Sequence, residues 1–284
     1  MNIALTGSSG LIGSILANDL KALGHKVLCV SSSRSVHKQN IFSYEEVISG
    51  KVNITADCIL HLASINSDLG QSEIDEEVDL CEKVIKLMKV VNCKNMIFFS
   101  SIKVYGANSF KEKKFSEESV LDPECSYGTA KKICEEVIIK KASLENFNYT
   151  ILRLPPILIK NSSSNLGKLF YVVEKGLPIP LFQLGKKNQR SVLSYDLLKF
   201  SIKFLLDNQF KFKNQTFNVA EPESLSTNEL IMKIGIILNK KPKIFYLPSF
   251  LFHIMMRVNR LQLMLCRIYG NFNVSSEKFR NTFF

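Results

Sequence analysis

The run NIALTGSSGLIG, from Asn2 to Gly13, constrains the fold more than any other part of the chain. Short apolar strand residues lead into a loop with glycines at 7, 10 and 13, and Gly10 to Leu23 carries a helical pattern. A strand, a tight glycine turn and a helix, in that order, point the first free helical N–H groups at whatever sits over the strand end. That arrangement binds phosphate. Gly7 suits the tight turn, Gly10 the close approach of backbone to a pyrophosphate, and Gly13 the packing of helix on strand. The loop reads as a phosphate cradle rather than a plain Gly/Ser-rich turn because it sits in this strand–turn–helix context.

The same alternation continues downstream. Lys26–Ser31 and the stretches 57–64, 95–101 and 148–154 are apolar and strand-like, while 73–92 and the region after Tyr127 have helical periodicity. Apolar strands separated by helices imply a parallel sheet buried on both faces. The predicted fold is α/β, a Rossmann-type doubly wound parallel sheet over residues 1–156. Pro155-Pro156 and the NSSS run at 161–164 interrupt this pattern. A smaller mixed α/β lobe is expected over 157–284, with parts of 191–220 returning to complete the main sheet. Helices are predicted at 166–175 and around 195–206, and a strand at 215–220.

Composition narrows the function classes. Seven cysteines occur without C-x-x-C or metal-type spacing, which suggests free thiols in a reducing compartment. No basic segment or cleavage site precedes the first strand, so a cytoplasmic protein is expected. The net charge of +11 is spread along the chain, without zinc-finger spacing or an aromatic–basic RNA-binding signature. An anionic small molecule therefore explains it better than nucleic acid. His61 reads as a packed structural histidine, and no metal site is expected. The apolar run at 244–256 is too short to span a bilayer and contains Pro248. It is expected to pack in the second lobe, and membrane association is not expected. An interfacial helix with Arg257, Arg260 and Arg267 on its polar side is the second reading.

At the end of the second strand, an acid would hold the ribose 2′-hydroxyl of NAD. The aligned residue is Ser31, followed by Ser32, Ser33 and Arg34. A serine cluster with an arginine suits a 2′-phosphate, so NADP(H) is favoured and NAD(H) stays open. A second constellation lies in SYGTAKK, residues 126–132, where Tyr127 precedes Lys131 by four positions. On a helix the two share one face. An ammonium beside a phenol is expected to lower its pKa and let it trade protons near neutrality. Alone, the pair reads better as a surface contact.

The strand-end Ser101, then Tyr127, then Lys131, downstream of the TGxxGxxG loop, resembles the short-chain dehydrogenases/reductases. HLAS, SSIKVYG, YGTAK and RSVLSYDLL resemble the extended branch, the NAD-dependent epimerase/dehydratase family, which acts on nucleotide sugars. RLPPIL, GLPIPL and QTFNVAEPESLSTNEL look most like its members in bacterial O-antigen and capsule synthesis. The resemblance implies that Tyr127 is the acid/base at the sugar C4 oxygen and that Ser101 hydrogen-bonds the same oxygen, with Ser100 a neighbour in the same site. It implies that Lys131 holds the nicotinamide ribose. Gly7, Ser9, Gly10, Leu11, Ile12, Ser31, Arg34, Leu62, Ala63 and Pro155 would contact the cofactor, together with Tyr127 and Lys131. Ser64, Ser101, Tyr127 and Arg190 would contact the substrate, with Arg190 on a UDP diphosphate. A homodimer on the helices at 73–92 and 127–144 is expected by analogy. The chain departs from the family at Glu77-Val78, where Asn-Val is usual, at Pro155-Pro156, where some 4-epimerases carry a substrate-contacting Asn, and at SSEKFRNTFF, after which the family's usual tail is cut short.

Three functions follow as expectations. One is reduction of a UDP-4-keto-6-deoxyhexosamine by NADPH, and another is 4-epimerisation of a UDP-hexose or UDP-hexosamine with retained NAD+. The third is a non-catalytic NADP(H)-binding sensor, which has no need of the full Ser101/Tyr127/Lys131 set.

Overall fold

Seven strands build the main sheet: β1 (Asn2–Thr6), β2 (Lys26–Ser31), β3 (Ile41–Ser43), β4 (Cys58–His61), β5 (Asn95–Ser101), β6 (Asn148–Leu154) and β7 (Gln215–Asn218). The computed structural model describes residues 1–31, 41–52, 54–64, 71–111, 113–160, 164–208 and 211–284. The helices are α1 (Leu11–Ala22), α2 (Tyr44–Ile48), α3 (Gln71–Val90), α4 (Ser126–Glu145), α5 (Asn165–Glu174), α6 (Tyr195–Asp207), α7 (Thr227–Ile237), α8 (Ser249–Met255), α9 (Asn259–Tyr269) and α10 (Glu277–Phe283).

The sheet order is β7-β6-β5-β4-β1-β2-β3, and every neighbouring pair is parallel. The order reverses between β1 and β4, so the strand ends there open onto a crevice. Because all strands run the same way, Thr6, Ser31, His61, Ser101 and Leu154 finish along one edge.

Side chains alternate across the sheet, which gives it two buried faces. Ile3, Leu5, Ile97 and Phe99 point to one side and meet Leu16 and Leu20 of α1, Leu198 and Ile202 of α6, and Phe279 and Phe283 of α10. Ala4, Ile59, Met96 and Phe98 point to the other and meet Cys81, Val84 and Met88 of α3 and Cys134 and Ile138 of α4. The α1 stripe of Gly13, Leu16, Ala17 and Leu20 follows the helical period. The last strand of the sheet and the terminal helix thus both come from the second half of the chain.

The smaller lobe has its own core of Phe170, Val173, Ile179, Leu181, Ile231, Ile234, Leu265 and Tyr269, contributed by α5, α7, α9 and a parallel pair between Pro178–Leu181 and Lys243–Tyr246. The apolar run at 244–256 is divided between that strand and α8. Leu251, Phe252, Met255 and Met256 pack on the lobe core, whereas Phe250 and Ile254 face outward. Only half of the run meets the expectation of core packing.

Candidate active site

The cradle is built as the glycine spacing predicts. Gly7 has φ +76°, and a Cβ there would lie 2.6 Å from the Ala63 nitrogen. A Cβ on Gly13 would lie 2.2 Å from the Gly7 carbonyl oxygen. The loop therefore rests directly on the Leu62–Ala63 backbone, and α1 rests on the loop. Gly10 caps α1 without a side chain, so the first-turn N–H groups keep no side-chain acceptor. Ser8 carries a buried hydroxyl that has no hydrogen-bond partner among the described residues. An uncapped helix start, a glycine floor and an orphaned hydroxyl fit a dinucleotide pyrophosphate.

The flanking strand ends complete this crevice. Ala63 N–H donates to Thr6 Oγ1 at 3.2 Å, and Thr6 Oγ1 lies 2.8 Å from His61 Nδ1. His61 is buried, tilts against Phe98 and is pushed down to about 3, first by burial and then by the Lys131 charge. It is a packed structural histidine. Leu62, Ala63 and exposed Ser64 follow β4, Ser31 ends β2, and buried Pro155 follows β6. Ser32, Ser33 and Arg34 lie outside the described residues. Among the described residues no group of three His, Cys, Asp or Glu is placed to hold a metal ion.

The proposed chemistry sits at the end of β5. Ser101 caps the 3-10 turn Ile102–Tyr105, its Oγ accepting from Lys103 N–H at 3.2 Å. Helix α4 packs on this turn so closely that a Cβ on Gly128 would lie 2.5 Å from the Lys103 carbonyl oxygen. The contact carries Tyr127 and Lys131 to the strand edge. Tyr127 is part-buried beside Ile74, while Lys131 is only 1% exposed. Lys131 Nζ lies 5.8 Å from the Tyr127 ring centroid and 4.8 Å from that of Phe98. The expected phenol–ammonium neighbourhood is present.

Two charged groups join it that the sequence reading did not assign. Glu77 of α3, 2% exposed, accepts from Lys131 Nζ at 2.9 Å. Burial works against the Lys131 charge, but Tyr127 and Glu77 outweigh it and hold its pKa above the ordinary lysine value. Lys103, exposed on the 3-10 turn, places its Nζ 5.3 Å from the Tyr127 ring centroid. The phenol thus has two ammonium neighbours.

Ser100 belongs to a different arrangement from the one expected. It lies on the opposite side of the strand from Ser101, and its Oγ donates to Glu135 of α4. Glu135 also accepts from Arg153 Nε at 3.0 and 3.1 Å and from Arg153 Nη2 at 2.6 Å. Arg153 Nη1 donates to the Tyr105 hydroxyl at 2.8 Å, which donates to Asn218 Oδ1 at 2.7 Å. This buried network ties α4 to β5, β6 and β7. Burial opposes the Arg153 charge, but Glu135 and Tyr105 hold its pKa well above its ordinary value.

Arg190 lies at the junction of the two lobes' segments, bridging by backbone to Leu225 and Phe272. Its Nη1 donates to the Gly270 carbonyl at 2.9 Å. Burial pushes its pKa down to about 10, and no carboxylate pairs with it among the described residues.

A parallel Rossmann-like sheet with a glycine cradle at its strand ends defines a dinucleotide-binding class of fold. The family comparison agrees: residues 3–220 match the NAD dependent epimerase/dehydratase family, and the chain belongs to it. The UDP-glucose 4-epimerase of Vibrio cholerae is 26% identical over 255 residues, covering 84% of this chain and 76% of that protein. The N-acetyl-alpha-D-glucosaminyl-diphospho-ditrans,octacis-undecaprenol 4-epimerase of Escherichia coli O157:H7 is 25% identical over 265 residues, covering 87% and 75%. Among solved structures, UDP-N-acetylglucosamine 4-epimerase from Bacillus cereus superimposes with a TM-score of 0.77 at 18% identity, covering 100% of this chain and 92% of the other.

Proposed function

We propose that the chain epimerises a diphosphate-linked hexose or hexosamine at C4, using a nicotinamide dinucleotide, in the synthesis of surface-polysaccharide precursors. The observation that carries this reading is the Tyr127 phenol beside the Lys131 ammonium, on the strand edge that also bears Ser101 and the glycine cradle. Names of sequence relatives from Vibrio and Escherichia, both 4-epimerases, support it.

Gly7, Ser9, Gly10, Leu11 and Ile12 would hold the pyrophosphate, with the Ser8 hydroxyl as a further donor. Leu62, Ala63 and Pro155 would line the same crevice, and Lys131 would reach the nicotinamide ribose. A bound nicotinamide would supply hydride acceptance and return at C4. Tyr127 takes the proton from the C4 hydroxyl as the hydride leaves and restores one to the same oxygen on return. Ser101 Oγ hydrogen-bonds that oxygen. Lys131, fixed by Glu77, supplies positive charge beside the phenol oxygen while its proton is away. Arg190, a half-buried cation that no carboxylate pairs among the described residues, would pair with the substrate diphosphate. UDP is the favoured carrier of the sugar, and a polyprenyl carrier, as in the name of the Escherichia relative, is the alternative.

A second reading, reduction of a 4-keto sugar by NADPH, is favoured by the lack of a carboxylate at Ser31. Incubation with UDP-GlcNAc alone, then with a UDP-4-keto-6-deoxyhexosamine plus NADPH or NADH, separates the two. The C4 epimer without added cofactor supports epimerisation, and NADPH consumption with the keto sugar alone supports reduction. Silence in both assays overturns both. Arg34→Ala is expected to weaken NADP(H) at least tenfold more than NAD(H) in titrations; equal losses contradict the 2′-phosphate assignment.

A further inference from the structure

The outer face of α8 and α9 plays no part in the site above. Along α8, Phe250 and Ile254 stand one turn apart, 60% and 56% exposed. Along α9, Arg260, Leu263, Met264 and Arg267 recur at the spacing of one helical face and are all exposed, with Leu263 at 64%, while Leu265 and Tyr269 are buried in the lobe core. Val258 and Arg257, also exposed, join the two helices. Five large apolar side chains are thus interleaved with three arginines on consecutive outward faces.

The surrounding charge says what kind of surface covers them. Between Glu229 and Glu277 the chain holds four lysines, three arginines and no carboxylate. A second copy meeting this face would set arginine against arginine with no acid from α8 or α9 to pair them, because a two-fold contact uses the same patch on both sides. An anionic bilayer offers what the face lacks: phosphate for the guanidinium groups and acyl chain for the apolar side chains between them. Among the described residues no helix is long and apolar enough to cross a membrane.

We infer that the α8–α9 face docks the protein on the surface of an anionic lipid bilayer. Phe250, Ile254, Val258, Leu263 and Met264 enter the headgroup–acyl boundary, and Arg257, Arg260 and Arg267 pair with lipid phosphates. This reverses the expectation that the chain stays off membranes. It rests on this surface alone and holds for either sugar carrier.

The test is co-sedimentation of the full chain with phosphatidylglycerol-containing vesicles and with pure phosphatidylcholine vesicles. Expected is binding to the anionic vesicles, about tenfold or more weaker on the neutral ones, in high salt and in the Arg257→Gln/Arg260→Gln/Arg267→Gln variant. Phe250→Ser/Leu263→Ser is expected to lose binding to a similar degree. These positions are exposed, so thermal unfolding should match the wild type, and turnover of a soluble UDP-sugar should be unchanged. That last readout separates failure of docking from failure of the catalytic reading. Absence of vesicle binding overturns the inference, as does equal binding by all variants. So does a solution dimer that Leu263→Ser dissociates in a protein that ignores vesicles.

Discussion

The pairing of Lys131 with Glu77 is the residue-scale feature that most alters the account drawn from sequence. An ammonium this deeply buried needs a counter-charge, and Glu77 supplies it at 2.9 Å. Breaking one half of such a pair strands the other: Glu77→Leu is expected to cost about 3–5 kcal/mol in urea unfolding. Glu77→Gln keeps an oxygen at the same reach and should cost less. A Leu variant within about 1 kcal/mol of wild type contradicts the pairing's structural importance. The pair had a visible trace in the sequence. Ile74, Glu77, Cys81 and Met88 fall on one stripe of α3, so a carboxylate interrupts a buried face. An amphipathic helix containing DEE nonetheless reads as acidic on its solvent side. Lys103 left no such trace, because its approach to Tyr127 depends on how α4 packs against the 3-10 turn.

His61 gives a second residue-scale expectation. Its folded pKa, about 3, lies below the ordinary histidine value near 6.5. Between those pH values the unfolded chain binds the proton and the folded chain does not, so stability falls as pH falls. The contribution is intact above about pH 6.5 and declines by up to about 1.4 kcal/mol per pH unit toward pH 3. Thermal melts across pH 4–7 should show a shallower decline in His61→Gln than in wild type. Parallel pH profiles contradict the assignment.

At the scale of elements, the sheet was readable because its strands are buried on both sides. β1, β2, β5 and β6 coincide with apolar runs in the sequence, and α1, α3 and α4 lie within two residues of their expected ends. The placement of Ser101 at a strand end and of Tyr127 and Lys131 on the first turns of α4 was readable from their spacing. Arg153 and Glu135 were not. A lone arginine inside ILRL and a glutamate on α4 reveal their pairing only once β6 and α4 are adjacent. Short elements set by tertiary contact also escaped: α2, β3 and the division of 244–256 between a strand and α8. The glycine loop carries the element-scale prediction. At Gly13 an added methyl meets backbone rather than a flexible side chain. Gly13→Ala must therefore separate α1 from the loop, and is expected to destabilise by about 1–3 kcal/mol while weakening dinucleotide binding. Unchanged stability and binding contradict the close packing.

For the whole molecule, a parallel sheet gathers its seven strand ends at one edge, and the returning segment from β7 to α10 brings Arg190 and the smaller lobe toward it. In the proposed reading the cradle holds the dinucleotide and Tyr127 exchanges a proton, while the smaller lobe carries the basic apolar face of α8 and α9 outward. The proposed chemistry depends on the phenol of Tyr127 handling the C4 proton. The most direct measurement is NMR detection of the C4 epimer from a UDP-hexosamine by wild type and by Tyr127→Phe, with dinucleotide affinity measured in both. A loss of about 10²–10⁴-fold in turnover is expected, with affinity nearly unchanged. Wild-type turnover in the phenylalanine variant would contradict it.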